Sequence, residues 1–168
     1  MRTYESVAEA RQHAARIAAR ANLMDVRALS LGANLDRDPS PGSTLSYDVG
    51  HDVKLQWEQD DPQFFAVRVE YDVTLKERSD TEGDEADEVG SHSAEVFATL
   101  KFELAALCQL EMREDDDPPL IEELEAYAQS TGVFALFPYA RETASTLSGR
   151  LGLPPLTLGV YREETTRP

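Results

Sequence analysis

Three long segments in the middle of the chain alternate between apolar and polar residues. They run from Leu45 to Trp57, from Phe65 to Lys76 and from Glu95 to Leu104. A period of two that is sustained over this length predicts β-strands with one covered face and one face in water. The pattern therefore predicts an antiparallel sheet. In the third segment the alternation stops at 104–108, which predicts a bend or burial on both faces.

The first part of the chain predicts a helix followed by a strand. Ser6 and Glu9 have the spacing of a capping box, and small apolar residues recur at helical spacing after them. We therefore predict an N-terminal helix over 6–22. A short strand over Leu23 to Leu31 is predicted next, and the Pro- and Gly-containing stretch 32–44 is typical of a loop.

The last third of the chain predicts two helices and a strand. Asp117-Pro118 has the pattern of a helix start, and Gly132 is the predicted end of that helix. Phe137-Pro138 then predicts the start of a second helix, because proline is tolerated in a first turn. Leu156, Leu158 and Val160 alternate after that helix and predict a short last strand.

The composition suits one folded domain over 1–168 and limits its partners. The chain has 168 residues, 41% hydrophobic and 29% charged, with 16 basic against 32 acidic side chains and a net charge of −16. This charge argues against nucleic acid and anionic membranes as partners, since phosphates attract the opposite sign. No apolar run reaches the length of a bilayer span, so we expect no membrane insertion. The lone Cys108 excludes an intrachain disulfide and suits a cytoplasmic location.

Half of the acidic residues lie in only two stretches, 77–95 and 111–125. This distribution predicts two solvated connections, including an acidic loop over 77–93. The functional alternative is that they form an attractive field for a basic, unfolded polypeptide.

Motifs for catalysis are missing from the sequence. The three histidines do not pair with one another or with cysteine at ligand spacing, so no metal site is predicted. His51-Asp52 lies within a predicted strand and lacks a partner nucleophile. Cys108 follows an apolar run and is interpreted as a buried small hydrophobe. We therefore expect no catalytic residues and no enzymatic activity.

The predicted sheet has more apolar surface than the predicted helices can cover. Aromatic residues outside the helix stripes, such as Tyr47, Trp57 and Phe134, still need partners. A surplus of this kind is normally buried in an oligomer interface or left open as a binding groove. The alternative is that all of it packs into one monomeric core.

One motif resembles a known family. Leu136-Phe137-Pro138-Tyr139-Ala140-Arg141-Glu142 is similar to the opening of the long helix in SecB, the bacterial export chaperone. The Pro- and Leu-rich segment 153–158 and the preceding strands also agree, so that the resemblance covers roughly 23–161. The variant looks closer to the SecB-like chaperones of actinobacteria, some of which guard toxin–antitoxin pairs. Those proteins resemble this chain at 18–21, 102–107 and 149–158, and also carry the extra N-terminal helix.

The resemblance implies an α+β fold with a four-stranded antiparallel sheet, helices packed on one face and the extra N-terminal helix. It also implies a homotetramer (a dimer of dimers) with no cofactor and no use of ATP. Such a protein holds unfolded polypeptides, including unfolded preproteins, in long hydrophobic grooves. We expect the groove beside the second strand and the Pro138 helix, and its predicted residues are Tyr47, Val49, Val53, Leu55, Trp57 and Leu147.

The chain departs from ordinary SecB at its end. Only a short tail, 162–168, follows the predicted last strand, so the helix and tail that contact the SecA motor are not matched. The remaining candidates for a translocase contact are Asp25 and Glu103, which match family positions on the exposed sheet face. For each of them a plain solvated face is the alternative.

Three functional hypotheses follow. The first is a holdase for unfolded clients in protein export or antitoxin protection. The second is a dedicated chaperone that recognises one segment of a single antitoxin. The third is a structural oligomer without a client.

Overall fold

The computed structural model describes residues 7–78, 94–113 and 116–159. In chain order these residues form helix α1 (Val7–Ala18), strands β1 (Ala21–Leu35), β2 (Thr44–Trp57), β3 (Phe64–Arg78) and β4 (Glu95–Leu110), helix α2 (Ile121–Tyr127), a π-helical turn (Ala128–Gly132) and helix α3 (Val133–Arg150). The strands form one antiparallel sheet in the order β1-β4-β3-β2. The predicted α+β class, the four-stranded sheet and the N-terminal helix are confirmed.

The core lies on the two central strands. The inward residues of β3 and β4 are buried beneath the helices, and the rings of Tyr71 and Phe102 stack with centroids 5.1 Å apart. The alternation of β4 continues to its end, where Cys108 and Leu110 are buried and Leu107 is exposed. The prediction of a bend or double burial at 104–108 is therefore wrong, because the apolar residues Ala105 and Leu107 occupy the open face.

The N-terminal helix is shorter than predicted, and the strand after it is longer. The Arg20 N–H donates to the Ile17 carbonyl at 3.0 Å, and the chain enters β1 at Ala21, opposite Leu110 of β4. The prediction of a helix to residue 22 is therefore corrected to Ala18. Pairing with β4 also extends β1 into the predicted loop 32–44, as far as Leu35.

Ion pairs join α1 and the turn after it to α2 and to the segment that precedes it. Arg16 Nε donates to Glu123 Oε1 at 2.8 Å, and Arg20 Nη2 donates to Asp116 Oδ2 at 2.7 Å. Arg16 also donates to the carbonyls of Asp117 and Pro118. These contacts position α1 over the helical layer, where Ala14 and Ile17 are buried.

Residues 121–150 form one continuous helical rod, which corrects three boundaries. The rod starts at Ile121 rather than after Asp117, and the Glu123 carboxylate accepts the Leu120 N–H at 3.0 Å. Gly132 does not end a helix, because the chain continues through the π-helical turn into α3. Pro138 lies inside α3 and does not open a second helix.

The predicted last strand is also wrong for the residues that the structure describes. Gly152, with φ of 77°, follows the end of α3, and residues 154–159 return along the molecule without joining the sheet. Leu158 is nevertheless buried, so its apolar pattern reflects packing rather than strand pairing. Val160 and the tail 162–168 lie outside the described residues.

Glu77 belongs to β3 and not to the predicted acidic loop. Its carboxylate is only 4% exposed and accepts hydrogen bonds from the Ser40 N–H (2.8 Å), the Arg37 guanidinium and the Ser43 hydroxyl (3.2 Å). The pKa of Glu77 is held below its ordinary value. The hydrogen bond from the Ser40 N–H is the largest cause, and the hydrogen bond from Arg37 is the second. Glu77 thus fixes the β1–β2 connection to the end of β3. The rest of the predicted loop, 79–93, lies outside the described residues.

Candidate functional site

An open cavity of about 460 Å³ lies between β2 and the helical layer. Its apolar lining comes from four parts of the fold: β2, β3, α3 and the segment that follows α3. The lining residues are Tyr47, Asp48, Val49, His51, Tyr71, Phe137, Leu158 and Gly159. Val49 is 40% exposed, so an apolar side chain is available to a ligand at this position. We call this space the β2 cavity.

Tyr47 connects the wall of the β2 cavity to the segment after α3. Its hydroxyl donates to the Thr157 carbonyl at 3.2 Å and accepts the Gly159 N–H at 2.7 Å. The tyrosine ring contributes apolar surface while its hydroxyl fixes the backbone of 157–159. This combination is typical of tyrosine at a boundary between an apolar site and polar backbone.

His51 is the titratable base among the described residues that line the β2 cavity, and its surroundings favour the neutral form. Burial lowers the pKa of His51, and the adjacent Asp52 carboxylate opposes this effect. The His51 and Tyr71 rings lie 6.3 Å apart. His51 therefore adds no full positive charge to this wall at neutral pH, and the carboxylate of Asp48 borders the same space.

The structure does not bring the six predicted groove residues into one cavity. Tyr47 and Val49 line the β2 cavity, whereas Val53 and Leu55 are half-buried farther along β2 and pack against the core. Trp57 lines a different space of about 300 Å³ at the end of the sheet. Among the described residues no acceptor binds its Nε1–H.

Leu147 lies on the other side of the molecule from the β2 cavity. It is 5% exposed and borders a space of about 220 Å³ between α3 and β1, together with Leu31 and Leu104. Phe137, ten residues earlier in the same helix, is the residue of α3 that lines the β2 cavity. The sequence named Phe137 as part of a predicted helix start and of the family motif, but not as a groove residue, and its place at the cavity depends on how the helix crosses the sheet.

The comparisons with known proteins give one consistent result. No family model matches the chain. "SecB-like chaperone Rv1957" of Mycobacterium tuberculosis (strain H37Rv) is 39% identical over 150 residues, which cover 87% of this chain and 80% of the relative. "SecB-like chaperone MT2006" of strain CDC 1551 matches equally. The chain belongs to the SecB-like chaperone family.

A solved structure agrees with this SecB-like assignment. It is the M. tuberculosis Rv1957 SecB-like chaperone in complex with a ChAD peptide from the Rv1956 HigA1 antitoxin. The TM-score is 0.76 at 35% identity, and the match covers 91% of this chain and 99% of that one. The resemblance found at the Phe137-Pro138 motif is therefore confirmed, as is the SecB-like fold.

The two predicted translocase-contact residues of this SecB-like chain lie on neighbouring strands of the open sheet face. Asp25 of β1 pairs with Arg27, and Glu103 of β4 accepts from Arg68 Nε at 2.8 Å. Asp25 is 41% exposed, whereas the Glu103 side chain is 15% exposed. Both carboxylates are therefore held in ion pairs on this face.

The one cysteine of the SecB-like chain, Cys108, is not accessible to solvent. Cys108 is buried, as the sequence predicted, and burial raises the pKa of its thiol to about 11. Within the described ranges, no group of three or more histidine, cysteine or carboxylate side chains is placed to hold a metal ion. None of the helices described has the length and apolar character needed to cross a bilayer.

Proposed function

We propose that this SecB-like chain is an ATP-independent holdase that binds extended, unfolded polypeptide segments in the β2 cavity. The observation that carries the proposal is the open apolar space beside β2, with Val49 exposed on one wall and Phe137 on the other. An unfolded client gains about 25 cal/mol for each Å² of apolar surface that it buries there. The net charge of −16 favours neutral or basic segments.

A dedicated antitoxin chaperone is the second candidate function. It is favoured by the solved relative, whose partner is a ChAD peptide from an antitoxin. Both functions use an extended segment as ligand, so they differ in how many sequences bind. Suppression of aggregation for several unrelated clients supports the general holdase, whereas binding of one antitoxin segment only supports the dedicated chaperone.

The proposal is tested by adding a charge to the cavity wall. Val49→Asp is expected to weaken client binding at least about tenfold, because a carboxylate facing apolar client side chains costs more than about 1.4 kcal/mol. Its stability is expected to change by less than about 0.5 kcal/mol, since Val49 is exposed. The measurements are suppression of aggregation of chemically denatured citrate synthase and a thermal unfolding curve.

Ser46→Asp is the matched control, because it adds the same charge to the same strand on the face that carries Lys76. It is expected to bind clients like the unchanged protein. Equal activity in both variants refutes the cavity as the client site.

We also propose that the chain assembles as a homotetramer in the cytoplasm. The edge strand β1 carries four large exposed apolar side chains: Leu23, Met24, Leu29 and Leu31, each 42–54% exposed. An apolar edge of this kind is normally covered by another chain. Light scattering at micromolar concentration is expected to give four times the mass of one chain, and a monomer would contradict the assembly.

A role in protein export through SecA is the weaker part of this proposal. A SecA contact at Asp25 and Glu103 has to compete with the Arg27 and Arg68 ion pairs already present. Antitoxin protection needs no such contact and is therefore the biological role that we favour.

A further inference from the structure

Residues 154–159 form part of the wall of the β2 cavity without belonging to the sheet. Leu158 and Gly159 line the cavity together with Tyr47 of β2. These residues follow the end of α3 and do not pair with β2, so no ladder of backbone hydrogen bonds fixes their distance from that strand. We call this segment the strap. Its position, and with it the width of the cavity, depends on side-chain contacts.

Three hydrogen bonds join the strap to the rest of the described chain. Near α3, the Leu156 N–H donates to Ser148 Oγ at 2.8 Å. At the other end, the Tyr47 hydroxyl accepts the Gly159 N–H at 2.7 Å and donates to the Thr157 carbonyl at 3.2 Å. Two of these three bonds therefore depend on a single side-chain oxygen, and that oxygen belongs to β2.

The two ends of the strap are held differently. At its start, Pro154 and Pro155 fix φ at two successive residues, so this end is stiff. At its far end, Leu158 is 1% exposed and packs into the core. Apolar packing is non-directional, so it leaves the backbone beside Leu158 without a fixed orientation. The directional contact at the far end is the Tyr47 hydroxyl.

The hydroxyl of Tyr47 is not needed for the apolar surface of the wall, because the ring alone supplies that surface. A tyrosine hydroxyl has one proton to donate, and here the Thr157 carbonyl accepts it. A wall that is already in place also costs a ligand no ordering on binding. We infer that the Tyr47 hydroxyl is a positioning group that holds the strap at a set distance from β2 and thereby sets how long a bound client stays in the β2 cavity. This inference rests on the proposed holdase function and adds to it a control on client release.

Hydrogen exchange on the full chain without client gives the first test. Tyr47→Phe keeps the ring and removes the bridge to the strap. The Gly159 amide is expected to exchange at least about tenfold faster in this variant, because it loses its acceptor, whereas the Leu156 amide is expected to keep its rate. Mass spectrometry with fragmentation to single amides measures both rates. An unchanged rate at Gly159 contradicts the inference.

The dissociation rate of a client gives the second test. The probe is reduced, carboxamidomethylated ribonuclease A, a basic chain that cannot refold. A hydrogen bond of ordinary net strength corresponds to a factor of about two to ten, so Tyr47→Phe is expected to release the probe at least about threefold faster. Tyr139→Phe is the matched control, because it removes the hydroxyl of an exposed tyrosine of α3 that borders a different space. It is expected to release the probe at the unchanged rate.

Ser148→Ala separates positioning of the strap from direct contact with the client. Ser148 is fully buried and does not line the β2 cavity, so it acts on a client there through the strap. This variant is expected to speed exchange at Leu156 and to release the probe at least about twofold faster. If Tyr47→Phe releases the probe faster and a folded Ser148→Ala does not, the hydroxyl contacts the client directly and the positioning role is wrong.

The remaining outcomes separate the inference from the function on which it rests. Equal release of the probe by the unchanged protein and by both strap variants overturns the inference and leaves the holdase function standing. If the unchanged protein does not bind the probe, the holdase function fails and the inference fails with it.

Discussion

Replacing Leu147 by alanine is expected to lower the free energy of unfolding by about 2–5 kcal/mol, the usual range for truncating a buried leucine. The side chain is 5% exposed and lies between α3 and the β1 side of the sheet, where Leu104 is also buried. Urea unfolding followed by circular dichroism measures this change. All variants are compared at one protein concentration, because stability of an oligomer depends on it.

Thr146→Ala is the control for Leu147, since Thr146 precedes it on α3 and borders the same space but is exposed. Its stability is expected to stay within about 0.5 kcal/mol of the unchanged protein. Trp57→Ala tests whether the half-buried end of β2 contributes to client binding, measured as suppression of aggregation of denatured citrate synthase. If Leu147→Ala keeps its stability and loses client binding instead, Leu147 is a client contact, as the family resemblance implies.

Replacing Gly132 by valine is expected to destabilise the protein by about 1–3 kcal/mol, the range for overpacking a core. A Cβ atom at this position would lie 3.0 Å from both Cγ atoms of Val67, which is fully buried on β3. The helical rod and the sheet approach each other too closely here for a side chain. Thermal and urea unfolding measure the effect.

Gly149→Val is the matched control, because Gly149 lies in α3 and a Cβ placed there has no neighbour within 4 Å among the described residues outside its own helix backbone. It is expected to be neutral or slightly stabilising, since valine has a higher helix propensity than glycine. Shortening Val67 to alanine in the Gly132→Val variant is expected to recover part of the loss. Equal effects at 132 and 149 would show that the approach of the rod to the sheet does not matter.

The sequence predicts the strands well, because a period of two needs no knowledge of the partner strands. Val67 and Val69 alternate with polar residues, and the structure buries both. The extent of β1 was not predictable in the same way, because its outer half is defined by pairing with β4 across the two register shifts. Local pattern identifies a strand, but tertiary pairing decides its length.

The predicted helix boundaries were wrong where tertiary packing overrides the local sequence preference. Glycine commonly ends a helix and proline commonly lies in its first turn, yet Gly132 and Pro138 both lie within one continuous helical segment. At 132 the small residue is needed for the contact with Val67, so that its helical penalty is compensated by close packing. Nothing in the order of residues distinguishes this glycine from a helix end.

Only some residues of the β2 cavity were predictable from the sequence. Tyr47 and Val49 were identified by alternation along β2, whereas Phe137 and Leu158 reach the cavity from separate parts of the chain. Their meeting depends on the direction of the rod and on the path of the segment after it. Leu147 was chosen by family resemblance, which carried no information on which side of the rod it faces here.

The continuous rod has a consequence for how assembly and client binding depend on each other. Phe137 at the β2 cavity and Leu147 on the β1 side are ten residues apart on α3, a distance of about 15 Å along one helix. If a client bound at the β2 cavity and a neighbouring protomer on the β1 side both shift this helix, reciprocity requires that each change the affinity of the other by the same coupling energy. In that case we expect client affinity to depend on protomer concentration, and a dilution series that measures client binding tests this expectation.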